Sequence, residues 1–516
     1  MILITSAKYV NPELQSEFGK IPPSFLPLGG KRLYEYQVNL FENIDEKIVL
    51  SLPESFNMSV SDTKNLSAFG IEILYVPDGL TLGESIVYSV NMNLPIDNNL
   101  QILHGDTYFK HIQKKSNSIS VSNVDSSYDW AYLIEDNIPI FNLYNQSIAN
   151  MTDQILSGYF NIEMPYEFVA SMVEKKYSFI EGLKHYSESF AFEAIENNTW
   201  LDFGLVSNYF HSKKSITTER AFNELLIEDG YVKKSSSLEG KLDGEINWFE
   251  HFPKELSLNI PRFYTQSYNL SYKTEYLYVN TLSELFVFGK LPIHIWREIF
   301  NSLKIFLEKL HSIKANDNKI NFDYKHKTIA RINTFADANT IDLNRTWIYN
   351  EKEMPSINSI IDNLDKYLPK NNKLFVFIHG DFCFSNIMYD FRSSTVKTFD
   401  PRGIDFNGKV TPYGDGIYDY AKLMHSVIGL YDFIIAKFYK CSYSEYEIIF
   451  DMDIDREIQK IQALFFSIFS LQKKETYAVM IHLFLSMLPL HNDDIDKQNA
   501  LLANMFRLYK ELKEDI

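Results

Sequence analysis

Three polar side chains in the C-terminal half of the sequence have the types and spacing needed to move a phosphoryl group from ATP to an alcohol. Asp381 and Asn386 lie five residues apart in Phe377-Ile378-His379-Gly380-Asp381-Phe382-Cys383-Phe384-Ser385-Asn386, directly after an apolar, β-prone run from Leu374 to Ile378. On a tight loop a carboxylate there can accept the hydroxyl proton, while a side-chain amide oxygen holds Mg²⁺. Asp400 ends a second β-prone run, Thr395 to Phe399, and offers a carboxylate for the cation that bridges the phosphates. A strand, a turn and a capping Asp would not require three such groups in this order.

A second pair of carboxylates stands in the first half, and the elements that must position it are legible. Short β-prone runs (Met1–Thr5, Lys47–Leu52, Ile71–Val76, Leu100–His104) alternate with helix-like stretches such as Leu33–Glu42 and Leu82–Met92. That rhythm indicates βαβ units and a mainly parallel sheet, whose ligands sit beyond the carboxyl ends of the strands. Asp106 lies at such an end, after Gly105. Asp202, in Trp200-Leu201-Asp202-Phe203-Gly204, is the second carboxylate. Two Asp residues converging on one crevice suit Mg²⁺ held between protein and a nucleoside triphosphate.

At 516 residues, two or three domains are expected. The handover falls near 215–225, inside a helix-like stretch from Thr217 to Ile227, which divides the chain into 1–218 and 219–516. With 67 acidic against 50 basic residues and no basic cluster, the sequence argues against nucleic acid or an anionic membrane as the main partner. Cys383 and Cys441 are the two cysteines and form no CxxC pair, so neither a disulfide scaffold nor a zinc site is expected. Met1-Ile2-Leu3-Ile4 is too short a run for a secretory leader. The apolar stretches near Phe465–Leu471 and Tyr477–Leu490 fall short of a membrane span, so a cytoplasmic protein without membrane insertion is expected. Oligomeric state is not readable.

His379-Gly380-Asp381-x4-Asn386 followed by Asp400 resembles the choline kinase and aminoglycoside phosphotransferase family, over about the last 290 residues. Tyr413-Gly414-Asp415-Gly416-Ile417-Tyr418-Asp419-Tyr420-Ala421-Lys422 resembles the family's downstream Gly-Asp-x-x-x-Asp-x-Ala segment, in which Asp415 and Asp419 read as loop-fixing and helix-capping residues. The resemblance implies an α+β, protein-kinase-like fold and an ATP-dependent kinase acting on a small alcohol. It further implies a phosphate-binding lysine with a glutamate partner. Lys234 with Glu245 is the pair expected, with Lys233 as the alternative because successive strand residues face opposite ways. The adenine hinge is expected at Glu275-Tyr276-Leu277-Tyr278-Val279, with Glu275 and Leu277 as ATP-binding positions, before a capping box of Thr281 and Glu284. Trp347, Tyr349, Tyr389 and Tyr413 are available for a choline-type aromatic box. Lys325, Lys327 and Arg331 read either as a solvated charged face or as a site for a phosphorylated or acidic acceptor.

The first 215 residues or so resemble a nucleotidyltransferase of the sugar-1-phosphate and phosphocholine cytidylyltransferase family, on Phe25-Leu26-Pro27-Leu28-Gly29-Gly30-Lys31-Arg32, Thr81-Leu82-Gly83-Glu84-Ser85, Gly105-Asp106 and Trp200-x-Asp202-x-Gly204. This implies an α/β, Rossmann-like domain that attacks the α-phosphate of CTP or UTP with a phosphomonoester. Asp106 and Asp202 would hold Mg²⁺, and Leu82, Gly83, Glu84 and Ser85 would line base and ribose. The segment Thr5–Asn11 departs from the family by lacking any glycine, and Pro23-Ser24 lacks the family's lysine, for which Lys8 or Lys20 can substitute. Together the resemblances imply a bifunctional enzyme with small-molecule alcohol (amino alcohol, polyol or sugar) and nucleotide substrates, making an activated donor for bacterial capsule or lipopolysaccharide, with an amino alcohol or other small alcohol slightly preferred over a sugar. The alternatives are a kinase with a degenerate nucleotide-binding N-terminal domain and a non-catalytic assembly protein.

Overall fold

The computed structural model describes residues 1–42, 46–96, 99–123, 131–134, 140–143, 154–216, 223–228, 230–236, 240–265, 271–316, 319–369, 374–452, 454–471 and 473–514. The chain forms two compact units, Met1–Ile216 with Phe288–Lys290, and Thr217–Val287 with Leu291–Ile516.

In the first unit the strand Ile2–Thr5 lies between Ile48–Pro53 and Leu100–His104, parallel to both, and Ile71–Val76 extends the parallel edge. Ile2, Leu3 and Ile4 are wholly buried, as a strand covered on both faces requires. The helices Leu33–Asn39, Val60–Ala68 and Leu82–Met92 connect these strands. Gln154–Ile162 then joins antiparallel to Leu100–His104, so the sheet is mixed. A separate two-stranded ladder pairs Trp200–Asp202 with Thr107–Phe109.

The second unit begins with an antiparallel sheet in the order Asn223–Glu228, Tyr231–Ser236, Ser271–Glu275, Phe263–Thr265, followed in chain order by the helix Lys241–Glu250 after the second strand. The helix-like reading of 217–227 is corrected here: Asn223–Glu228 is a strand, while 217–222 lie outside the described residues. Glu228 pairs antiparallel with Tyr231, and Gly230 sits at φ +78°. Cross-strand pairing overrides a Leu- and Glu-rich composition that suits either element.

The rest of this unit is mainly helical. Ile293–His311 buries Trp296, Phe300, Leu303, Leu307 and Leu310 on one stripe. Lys473–Met487 is buried continuously from Thr476 to Ser486, and packs against Tyr324–Asn339, Gly416–Val427 and Ile495–Lys513. Among the described residues no helix is long and apolar enough to cross a membrane.

Candidate active sites

The C-terminal site is built around a hairpin, Ile387–Asp390 with Thr395–Thr398, in which Ile387 pairs with Thr398. Asn386 and Asp400 therefore stand at its two feet, and the Phe399 N–H donates to the Asn386 carbonyl at 3.2 Å. The preceding loop is fixed by Asp419, whose carboxylate accepts the N–H groups of His379 (2.9 Å) and Gly380 (2.8 Å). Asp415 caps the helix Gly416–Val427 and accepts from the Tyr324 hydroxyl at 2.7 Å. His379 is fully buried, with Nε2 3.0 Å from the Phe399 carbonyl and Nδ1 accepting the Asp381 N–H at 3.2 Å. These partners place the proton on Nε2, and burial pushes the ring below its ordinary pKa, so the imidazole is neutral.

Asp381 and Asn386 meet directly. The Asn386 amide donates to Asp381 Oδ2 at 2.9 Å and to its carbonyl at 3.0 Å, so Asn386 Oδ1 keeps no donor among the described residues. Lys422 Nζ lies 2.7 Å from Asp381 Oδ1. Burial opposes the charge of Asp381, but Lys422 outweighs it and holds the carboxyl well below the usual carboxylate range. Lys422 was quoted in the sequence without a role. Its signal is the Asp419-x-x-Lys422 spacing, which puts both side chains on one face of the helix.

Lys234 is 4% exposed, and its ammonium bridges Glu245 Oε2 at 2.7 Å and Asp400 Oδ1. The Tyr272 hydroxyl donates to the same Glu245 oxygen at 2.7 Å. Lys233, one strand position on, is only partly buried and pairs across the sheet with Lys273. Burial alone would lower the Lys234 pKa, yet Asp400 and Glu245 push it above the ordinary lysine value. Asp400 itself sits at φ +60°, a conformation L-residues hold only where surrounding structure imposes it. Glu275 ends its strand with its N–H donated to the Arg262 carbonyl at 2.9 Å, whereas Leu277, in the segment that follows, makes no backbone bond among the described residues.

The helix carrying Glu245 abuts the loop after Asp400. A Cβ on Gly403 would lie 1.9 Å from the Gly244 carbonyl oxygen, and Gly403 is at φ +62°. Gly403→Ala is therefore expected to destabilise the second unit by at least about 1–3 kcal/mol, read by thermal denaturation, and to depress phosphoryl transfer with it.

In the first unit the ladder Asp202↔Thr107 brings Asp202 beside Asp106. Both carboxylates face Gly204, where a Cβ would lie 2.9 Å from Asp106 Oδ2 and 3.3 Å from Asp202 Oδ1. They line one crevice with His104, Ser157, Gly158 and Trp200. Burial raises the Asp106 carboxyl pKa. Asp202 also accepts the Gly204 N–H at 3.1 Å.

Leu82, Gly83, Glu84 and Ser85 do not line that crevice. They open the helix Leu82–Met92, where Glu84 and Thr81 form a capping box, and Gly83 packs on Tyr177, whose carbonyl oxygen a Cβ would meet at 2.0 Å. The glycine-free loop is tied into the fold: Ser6 N–H donates to Ser51 Oγ at 3.1 Å, and Ser6 Oγ accepts the Ser24 N–H at 3.0 Å. Ser24 is fully buried, and Lys20 rests 4.2 Å from the Tyr9 ring centroid.

The donor sets suit a hard, oxygen-seeking cation. Among the described residues no three His, Cys, Asp or Glu side chains gather as a metal site.

No protein-family model matches the chain, and no curated protein matches it. Similar solved structures fall into two groups, nucleotidyltransferases over about 42% of the chain at its N-terminal end and aminoglycoside phosphotransferases over about 58%. The CTP:phosphocholine cytidylyltransferase of Streptococcus pneumoniae is 12% identical, with 42% of this chain and 98% of that one covered at a TM-score of 0.33. The inositol-1-phosphate CTP transferase of T. maritima is 16% identical, with 43% and 97% covered and a TM-score of 0.33. The ADP-bound aminoglycoside phosphotransferase APH(2'')-Ib is 15% identical, with 58% and 98% covered and a TM-score of 0.35.

Proposed function

We propose that residues 219–516 form an ATP-dependent kinase for a small alcohol, and that residues 1–218 couple the phosphomonoester to CTP or UTP with release of pyrophosphate. The observation that carries the kinase reading is the buried Lys234 bridging Glu245 and Asp400. Asp381 orients the acceptor hydroxyl and takes its proton as the new P–O bond forms and ADP leaves. Lys234 steadies the phosphates, and Leu277 offers free backbone groups to adenine. Asn386 Oδ1 and Asp400 would hold Mg²⁺, which supplies charge neutralisation at the phosphates. In the first unit Asp106 and Asp202 would hold the second Mg²⁺, and the product would be a nucleotide-activated donor for bacterial capsule or lipopolysaccharide.

A second reading keeps the kinase alone. It is favoured by the Ser6 N–H, taken by Ser51 Oγ, and the Ser24 N–H, taken by Ser6 Oγ, in the loop where a phosphate cradle would otherwise present free amides. The test is ³¹P NMR of the full chain with Mg²⁺, ATP, CTP, UTP and pooled alcohols. On the bifunctional reading, a phosphomonoester becomes a nucleotide diester, and both Asp106→Asn and Asp202→Asn abolish the second step only. A phosphomonoester that accumulates without pyrophosphate leaves the kinase alone.

A further inference from the structure

The loop around Asp381 is bordered by more positive charge than its own chemistry uses. Lys327, on the helix Tyr324–Asn339, is half-buried with its ammonium 4.0 Å from the Phe406 ring centroid and 5.5 Å from that of Tyr418. It donates to the Tyr418 hydroxyl at 3.3 Å. The Arg402 guanidinium stands 5.2 Å from the other contact of that ring, the same Phe406 centroid, and donates through Nε to the Ile404 carbonyl at 3.0 Å. Tyr418 and Lys422 belong to one helix, and Lys422 is the cation paired with Asp381.

Among the described residues neither Lys327, Arg331 nor Arg402 has a carboxylate within ion-pair distance. Lys325, on the same helix, behaves differently: it pairs with Asp362 at 3.0 Å and Asp365 at 3.5 Å, as a solvated charged face should. Burial first, and then the charges of Arg402, Lys422 and Arg331, push the Lys327 ammonium well below its ordinary pKa. Holding unpaired cations together on aromatic faces costs free energy that a bound anion would return.

Of the four aromatics available for a cage around a cationic alcohol, Tyr413 is half-buried with its ring 5.5 Å from that of Phe377, and the other three are buried. Trp347, Tyr349 and Tyr389 are core side chains, 1%, 5% and 2% exposed, and Trp347 packs on Phe506 and Tyr446.

We propose that the alcohol phosphorylated by the second unit is an anion, a hydroxy acid or a phosphorylated polyol, whose carboxylate or phosphate is held by Lys327 and Arg402, with Arg331 at the rim. This rests on the kinase reading and names its substrate class. It narrows the sequence-based preference for an amino alcohol or other small alcohol to an anionic one. The acceptor oxygen gives its proton to Asp381, bonds to the γ-phosphorus of ATP, and ADP leaves with the electrons of the broken P–O bond.

The test uses the full-length protein with Mg·ATP and four acceptors of similar size: glycerate, glycerol 3-phosphate, glycerol and ethanolamine. ADP release and ³¹P spectra give kcat and KM for each. One or both anions should have the highest kcat/KM, and the better one identifies carboxylate or phosphate as the recognised group. Lys327→Met and Arg402→Met should each raise the KM for that anion by about 10- to 100-fold, the worth of a charge-assisted bond. Lys327→Gln and a thermal midpoint for each variant separate this loss from misfolding.

Higher kcat/KM for glycerol or ethanolamine than for both anions would overturn the proposal, as would an anion KM unchanged in folded Lys327→Met. Should no acceptor be phosphorylated, thermal stabilisation by the two anions decides. Its absence in the parent protein overturns the proposal, and its presence in the parent with loss in Lys327→Met supports it. Mg·ATP binding that is absent in the parent protein would reject the kinase reading itself, a separate result.

Discussion

Asp381→Asn is expected to lower kcat for phosphoryl transfer by about 10²- to 10⁴-fold, the usual worth of a positioned base. The substitution keeps the shape of the side chain, but its amide nitrogen must face either Lys422 or the Asn386 amide, both donors, so the thermal midpoint should fall while ATP binding stays near that of the parent. The pH profile separates this role from a structural one. Lys422 depresses the Asp381 pKa, so the carboxylate is present above its ordinary value and is lost only as pH falls through the lower, folded value. An acid limb belonging to Asp381 therefore lies below roughly pH 4, the range of a free aspartate. Lys422→Met should move that limb upward. Coupled ADP release measured from acid to neutral pH reads both effects, and an Asp381-dependent limb in the neutral range would contradict the assignment.

Lys234→Met should be costly in two ways that can be separated. Glu245 is 1% exposed, and removing its cation leaves it and Asp400 facing each other without compensation. Breaking a buried pair from one side typically costs about 3–5 kcal/mol, a loss that denaturant titration will resolve. Phosphoryl transfer should disappear as well. Adding Glu245→Gln to Lys234→Met removes the stranded charge, and the Tyr272 hydroxyl can still donate to the amide oxygen. The double variant should recover much of the stability and none of the activity. Recovery of both would make Lys234 a purely structural residue.

What the sequence disclosed follows from the range of the interactions involved. Ile71–Val76 and Leu100–His104 are read to the residue because strands buried on both faces are bounded apolar runs. Asp381 and Asn386 are legible because a single loop sets their separation. Strand alternation sets Lys233 and Lys234 on opposite faces, and only the contact with Glu245 tells which of them faces inward. The misread strand Asn223–Glu228 takes its identity from a partner across a turn, which local composition does not reveal. Lys422 was passed over because its partner lies 41 residues earlier, on a loop. Lys327 looked like one more charge on an exposed helix. Phe406, which holds it, is brought there by tertiary packing. At the start of the helix Leu82–Met92 a motif read for nucleotide contact is, in the structure, engaged in capping and close packing.

Asn386 and Asp400 flank a hairpin whose closed end lies at residues 391–394, with Arg392, Ser393 and Ser394 exposed. Their separation is fixed by the ladder at the base, so the tip is mechanically decoupled from the chemistry. It is the natural position for a graft: a short peptide tag or a fluorophore between Arg392 and Ser393 should travel with Asn386 and Asp400 without disturbing them. An insertion there that preserves phosphoryl transfer would turn the hairpin into a handle for immobilising the enzyme or for following nucleotide arrival optically.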